Sequence, residues 1–260
     1  MSKDRELEQS FIEFVNIVRR LRKECPWDKE QTHESLRRCL LEESYEVLES
    51  IDNNDLNELK KELGDVLLQV IFHAVMGEES KSFSLDEIIS LETKKLIARH
   101  PHIFSDVKVS NSEEVKTNWE KLKKKEGRIS VLDGIPKELP ALFKAYRVQE
   151  KAAKVGFDWK DVKPVYDKIL EEISELKKNI QSGADQKEIE NEFGDVLFSI
   201  VNYARFLKIN PEDALRKTIS KFTSRFNQIE NYAKLNNINL ENMTLDEMDV
   251  IWNKSKEKKI

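Results

Sequence analysis

One acidic pattern, written twice at constant spacing, constrains this chain more than any other feature. "LEESYEVLES" at 41–50 is followed by "KELGDVLLQVIFHA" at 61–74, and "LEEISELKKN" at 170–179 is followed by "NEFGDVLFSIVNYA" at 191–204. Glu43 and Glu46 stand 129 positions before Glu172 and Glu175, and Glu62 and Asp65 stand 130 before Glu192 and Asp195. "GDVL" recurs unchanged at 64–67 and 194–197, and Trp119 in "NWEK" is echoed by Trp252 in "IWNK". Such regular spacing indicates an internal duplication into two related modules, too few copies for a solenoid.

The elements around this pattern read as helices. Leu7, Phe11, Phe14, Val15, Val18 and Leu21 recur at three- and four-residue intervals, and Pro26 breaks that helix. Further helices are expected from Thr32 or His33 to the "DNND" turn, from Leu56 to Met76, after Ser84 with the capping-box pattern "SLDE", and over 112–126. The second half repeats the scheme at 141–155, 164–181 and 187–209, then from the Asn210 cap and Pro211 onward, ending in "TLDEMDVIWNKSKEKK". With 36% charged residues, 7 Gly and 6 Pro, little or no sheet is expected. The fold class is therefore all-α: tandem duplicated modules of antiparallel helix hairpins with four-helix-bundle-like cores, completed by dimerisation. "GRISVLDGIPKELP" gathers two Gly and two Pro, which sets the boundaries at an N-terminal module 1–126, a linker 127–140 and a C-terminal module 141–260.

Net charge and hydropathy narrow the function classes. A net charge of -5 gives no general attraction for a nucleic-acid polymer or an anionic membrane. No apolar run reaches the roughly 20 residues of a membrane span, and "MSKDRELEQSF" lacks the apolar core of a signal peptide, so a cytoplasmic location is expected. Cys25 and Cys39 read as free thiols, and His33 between them as incidental rather than a ligand.

The acids carry the chemistry. Glu172 and Glu175 are three apart, as are Glu192 and Asp195, so each pair shares one helical face, and the "SGAD" turn folds the two faces together. For a single "ExxE" in so charged a chain, a solvated helix face is the safer reading. Here Val196, Leu197, Phe198, Ile200 and Val201 leave Glu192, Asp195, Ser199 and Asn202 as a narrow polar stripe, and Gly194 suggests a close backbone approach. Four carboxylates around one volume need a cation or several protons. An all-carboxylate set without His or Cys suits Mg²⁺, with Mn²⁺ as a substitute, and Mg²⁺ commonly shares its coordination with phosphate oxygens. A di-iron bundle needs Glu-x-x-His on two helices, and the only such spacing, Glu30 to His33, lies outside the repeat.

Basic residues complete a phosphate site. Lys168 lies four before Glu172, Lys221 and Arg225 lie four apart, and Lys254 follows Trp252. Each alone is more often a surface charge, and Trp252 more often core; together they make a phosphate-and-ring site plausible.

At this point the motifs resemble a known family. Glu-Glu-x-x-Glu followed by Glu-x-x-Asp, as Glu42, Glu43, Glu46, Glu62, Asp65 and again as Glu171, Glu172, Glu175, Glu192, Asp195, looks like the signature of the all-α MazG nucleoside triphosphate pyrophosphohydrolases. "CPWDKEQTHESL", "RHPHIF" and "VGFDW" resemble the two-module bacterial members in order and spacing. The resemblance implies Mg²⁺-dependent hydrolysis of nucleoside and deoxynucleoside triphosphates to the monophosphate and pyrophosphate, by water attack at the α-phosphorus. It implies metal ligands at Glu172, Glu175, Glu192 and Asp195, a base for the water at Glu171, and nucleotide contacts at Lys168, Glu171, Glu172, Lys221, Arg225 and Trp252. Glu43, Glu46, Glu62 and Asp65 are the candidate for a second metal set in the N-terminal module. There Lys95 and Arg99 stand in place of Lys221 and Arg225 but run into His100 and Pro101. The C-terminal module is accordingly expected to be the main catalytic one, in a homodimer. The competing class is a non-enzymatic helical interaction module whose acids bind a structural divalent ion or a basic partner.

Overall fold

The computed structural model describes residues 2–111, 114, 115, 118 and 130–257. The expected helix at 112–126, with Trp119, lies for the most part outside the described residues. Among the described residues there is no strand, and the all-α expectation holds. The chain divides into two compact units, Met1–Glu126 and Gly127–Ile260.

In the first unit α1 spans Ser2–Glu24, α2 Pro26–Glu30, α3 Arg37–Asp52, α4 Leu56–Glu79, α5 Leu85–Arg99 and α6 Pro101–Phe104. The α3–α4 hairpin turns through Asn54, whose φ of 53° lies in the left-handed region. Asp55 then caps α4 by accepting from the Asn57 and Glu58 amides. Val15 and Val18 of α1 pack with Leu36 and with Ile71, Phe72, Val75 and Met76 of α4. Ser84 and Glu87 form the reciprocal capping box expected from "SLDE".

Three local expectations shift. Pro26 does not merely stop α1; it opens α2 at a position where its missing N–H costs nothing. The next helix starts at Arg37 rather than Thr32, because the Thr32 and Ser35 hydroxyls bond nearby backbone and hold 32–36 in turns. His33 is not isolated: its ring stacks on His73 at 5.0 Å, with the two Nδ1 atoms 2.7 Å apart. Cys25 and Cys39 are both free.

In the second unit α7 spans Ala141–Ala153, α8 Val162–Ser182, α9 Gln186–Phe206, α10 Pro211–Leu235 and α11 Leu245–Glu257, with a 3₁₀ turn at Leu240–Asn242. The α8–α9 hairpin repeats α3–α4, and Gly183, 129 positions after Asn54, makes the same left-handed turn at φ 71°. Asp161, Asp185 and Asn210 cap α8, α9 and α10. α7 packs on α9 and α10, and α10 on α11. Val165 and Val201 are fully buried between these helices. The stretch 130–140 belongs to this unit: the buried Lys151 ammonium donates to the Val131 and Asp133 carbonyls. No helix among the described residues is long and apolar enough to cross a membrane.

One sequence inference is overturned. A Cβ placed on Gly194 or on Gly64 would meet nothing within 4 Å, so neither glycine serves a close approach within the chain. The close approach is at Gly77, where a Cβ would overlap the Phe83 ring.

Candidate metal and nucleotide site

Each hairpin brings three carboxylates together. Glu172 of α8 meets Glu192 and Asp195 of α9, and Glu43 of α3 meets Glu62 and Asp65 of α4; in each trio one oxygen per residue lies within 4.8 Å of the others. The cause is the spacing: Glu192 and Asp195 share a face of α9, and the tight turn lays that face against Glu172. Such hard oxygen donors fit a divalent cation. Glu175, one turn after Glu172, and its counterpart Glu46 are not members of these trios.

The two trios are balanced differently. Glu172 is buried, and Lys168 Nζ lies 2.7 Å from its Oε1 and 2.8 Å from Glu171 Oε1. These hydrogen bonds to Glu171 and then Glu172 raise the lysine pKa. Asn179 Nδ2 donates to Glu192 Oε1 at 3.2 Å. In the first unit Cys39 stands where the repeat places Lys168, so the acids face one another with no such cation between them. Desolvation, then hydrogen bonding to Glu58 and the charge of Glu46, pushes the Glu62 carboxyl up to about 7. Glu43 is raised as well, by desolvation and by Asp65.

A cavity of about 290 Å³ opens beside the second trio. Its lining includes Lys168, Glu172 and Asp195, together with Gln149, Asn202, Phe157 and Trp159. Arg205 closes an edge through paired bonds to Asp158 at 2.9 and 2.5 Å. Lys221, Arg225 and Trp252 do not line it. Trp252 packs on Phe222 at 5.1 Å between α10 and α11, with the Arg225 guanidinium 5.5 Å over its ring. Gln149 was not apparent as a site residue, although it interrupts the apolar stripe Leu142, Ala145, Tyr146, Ala152 at helical spacing. Phe157, Asp158 and Trp159 appeared only as part of "VGFDW".

Fold and site define a class: a tandem all-α protein whose hairpins each carry an acidic trio able to hold a divalent cation. The family model for the MazG nucleotide pyrophosphohydrolase domain matches residues 31–104 and 161–229, both hairpins. The chain is 45% identical over 251 residues, 95% of each chain, to the nucleoside triphosphate pyrophosphohydrolase/pyrophosphatase MazG of Thermotoga maritima. It is 41% identical over 254 residues to the nucleoside triphosphate pyrophosphohydrolase of Escherichia coli K12, covering 95% of this chain and 97% of that one. It also matches an uncharacterized protein, YabN, of Bacillus subtilis at 46% identity, over 96% of this chain and 52% of that protein. The chain belongs to the MazG nucleotide pyrophosphohydrolase family.

Proposed function

We propose that this protein hydrolyses nucleoside and deoxynucleoside triphosphates to the monophosphate and pyrophosphate, and that the second unit is the main catalytic one. The observation that carries the reading is the Glu172, Glu192, Asp195 trio, set beside a cavity in a chain 95% covered by a relative named for this activity. Glu172, Glu192 and Asp195 would hold Mg²⁺, or Mn²⁺ in its place, with Glu175 as a further ligand. An ion held there would supply positive charge to offset the triphosphate oxygens and the pyrophosphate leaving group.

The chain's own groups then divide the work. Glu171 is outside the trio and its side chain is 56% exposed; with Oε1 held by Lys168, its second oxygen would orient a water and take its proton. Lys168 lies between Glu171 and Glu172, and an arriving phosphate offers its ammonium a third anion. Lys221, Arg225 and Trp252 line neither the trio nor the cavity within one chain; we retain them as nucleotide contacts where two copies share the site.

A second copy is supported by the hairpin faces, which leave Leu170, Ile173, Phe193 and Leu197 between 41 and 54% exposed. A nucleotide-pool enzyme of the cytoplasm is the setting that fits such a substrate. The test adds Mg²⁺ and mixed nucleoside triphosphates to the purified chain. Pyrophosphate with monophosphate is the expected product. Orthophosphate alone would indicate a different hydrolase, and no product would favour the interaction module.

A further inference from the structure

We propose that the cavity beside the second trio is the subsite for the heteroaromatic base of the nucleotide, with the Gln149 side-chain oxygen accepting an N–H from the base edge. This rests on the triphosphate reading above and adds how the base is read.

Gln149 is 8% exposed. Its Nε2 donates to the Phe198 carbonyl at 2.8 Å, which fixes the amide, because turning it over would set oxygen against oxygen. Oε1 is left buried with no partner among the described residues. A buried acceptor of this kind calls for a donor, and nothing on the surrounding helices supplies one. Asn202, 6% exposed, has its Oδ1 engaged by Arg205 Nε at 3.0 Å, so its amide hydrogens remain to donate. Arg205 is in turn fixed by Asp158. Gln149 and Asn202 line the cavity together with the Phe157 and Trp159 rings; the amide hydrogens of Asn202 are oriented to donate, and the Gln149 acceptor lies just under the wall, which a bound base must press aside to meet it.

A nucleobase matches this set: a flat ring for the aromatic faces, and an N–H next to an acceptor along one edge. A sugar has hydroxyls but no π face. At about 290 Å³ the space is at the small end of ligand pockets, fit for one ring system, and it is continuous with Lys168, Glu172 and Asp195, where the phosphates are expected.

The first unit shows that the hairpin does not produce such a pocket by itself. The shared "GDVL" register sets Gln69, Phe72 and Val75 where the second unit has Ser199, Asn202 and Arg205. Phe72 and Val75 are each 4% exposed within an apolar core. The acids are kept in both units; of the polar wall the first unit keeps only Gln69, whose Oε1 is also buried without a partner, and it replaces Asn202 and Arg205 by Phe72 and Val75.

The test compares ATP with N6,N6-dimethyl-ATP and UTP with N3-methyl-UTP, each analogue lacking the edge N–H, on the full chain with Mg²⁺. For at least one pair, the wild type should lose about tenfold or more in kcat/KM on methylation, and Gln149→Leu should bring that ratio toward one. Hydrolysis of a base-free ribose triphosphate should be the same in both proteins. Equal methylation ratios in wild type and Gln149→Leu, or an equal loss on the base-free substrate, would overturn the proposal and leave a structural cavity.

If no triphosphate is hydrolysed, the functional reading fails separately, and binding still decides the inference. Adenosine or uridine should quench the fluorescence removed by Trp159→Phe, and Gln149→Leu or Asn202→Ala should weaken that quench about tenfold in variants with wild-type melting curves. No quench in the wild type would overturn the proposal.

Discussion

Cys39 occupies in the first unit the place that Lys168 holds in the second, and that exchange sets how each trio manages its charge. In the first trio desolvation, with hydrogen bonding to Glu58 and the charge of Glu46, raises Glu62 from 4.5 to about 7, so it holds a proton that the unfolded chain would release. Between those values the folded state binds more protons, so its contribution to stability falls as pH rises through the window. A divalent cation held by this trio would displace that proton. In an Asp195→Asn background, calorimetric titration of Mg²⁺ should therefore show tighter binding and less proton release at pH 8 than at pH 6; a pH-independent affinity would contradict the assignment. The carboxylates and Lys168 were legible in the sequence because helical spacing alone places them. Gln149 was not, since a single polar residue in an apolar stripe acquires meaning only when the facing helix supplies Phe198 and Asn202.

At the scale of elements, caps and turns carried most of what could be read in advance. Asn210 and the Ser84 box cap as the sequence indicates, and Asp55 and Asp185 prove to be caps at the ends of the two turns it marked. Asp55→Ala should cost about 1 kcal/mol of stability in urea denaturation, and a neutral result would remove the cap's role. The glycines were misread, because a helical glycine has the same letter whether it faces a neighbour or open space. Gly77→Ala should destabilise by about 1–3 kcal/mol as the Phe83 ring is displaced, and unchanged stability would show that the ring yields freely. The stretch at 130–140 was also read from its Gly and Pro alone, whereas Lys151 ties it to α7 by bonds that no composition reveals. A fragment starting at Gly127 should melt higher than one starting at Ala141; equal melting would free the stretch from the fold.

For the molecule as a whole, duplication gives two hairpins with the same acids but different surroundings. One has a lysine and a cavity lined in part by Gln149 and Asn202 beside the trio; the other has a cysteine and an apolar core. That contrast supports hydrolysis in the second unit. The exposed hairpin faces support a dimer, and sedimentation at working concentration should return twice the 30.5 kDa chain mass; a monomer would remove the shared site. The most direct test of the central claim follows turnover in ¹⁸O-water with Mg²⁺ for the wild type, Asp65→Asn and Asp195→Asn. Label should enter the monophosphate, as attack at the α-phosphorus requires. Asp195→Asn should lower the rate by about 100-fold or more, since loss of a partner one shell further out already costs 10–100-fold, and Asp65→Asn should leave it near wild type. Label in the pyrophosphate, or a rate abolished by Asp65→Asn and kept by Asp195→Asn, would contradict the account.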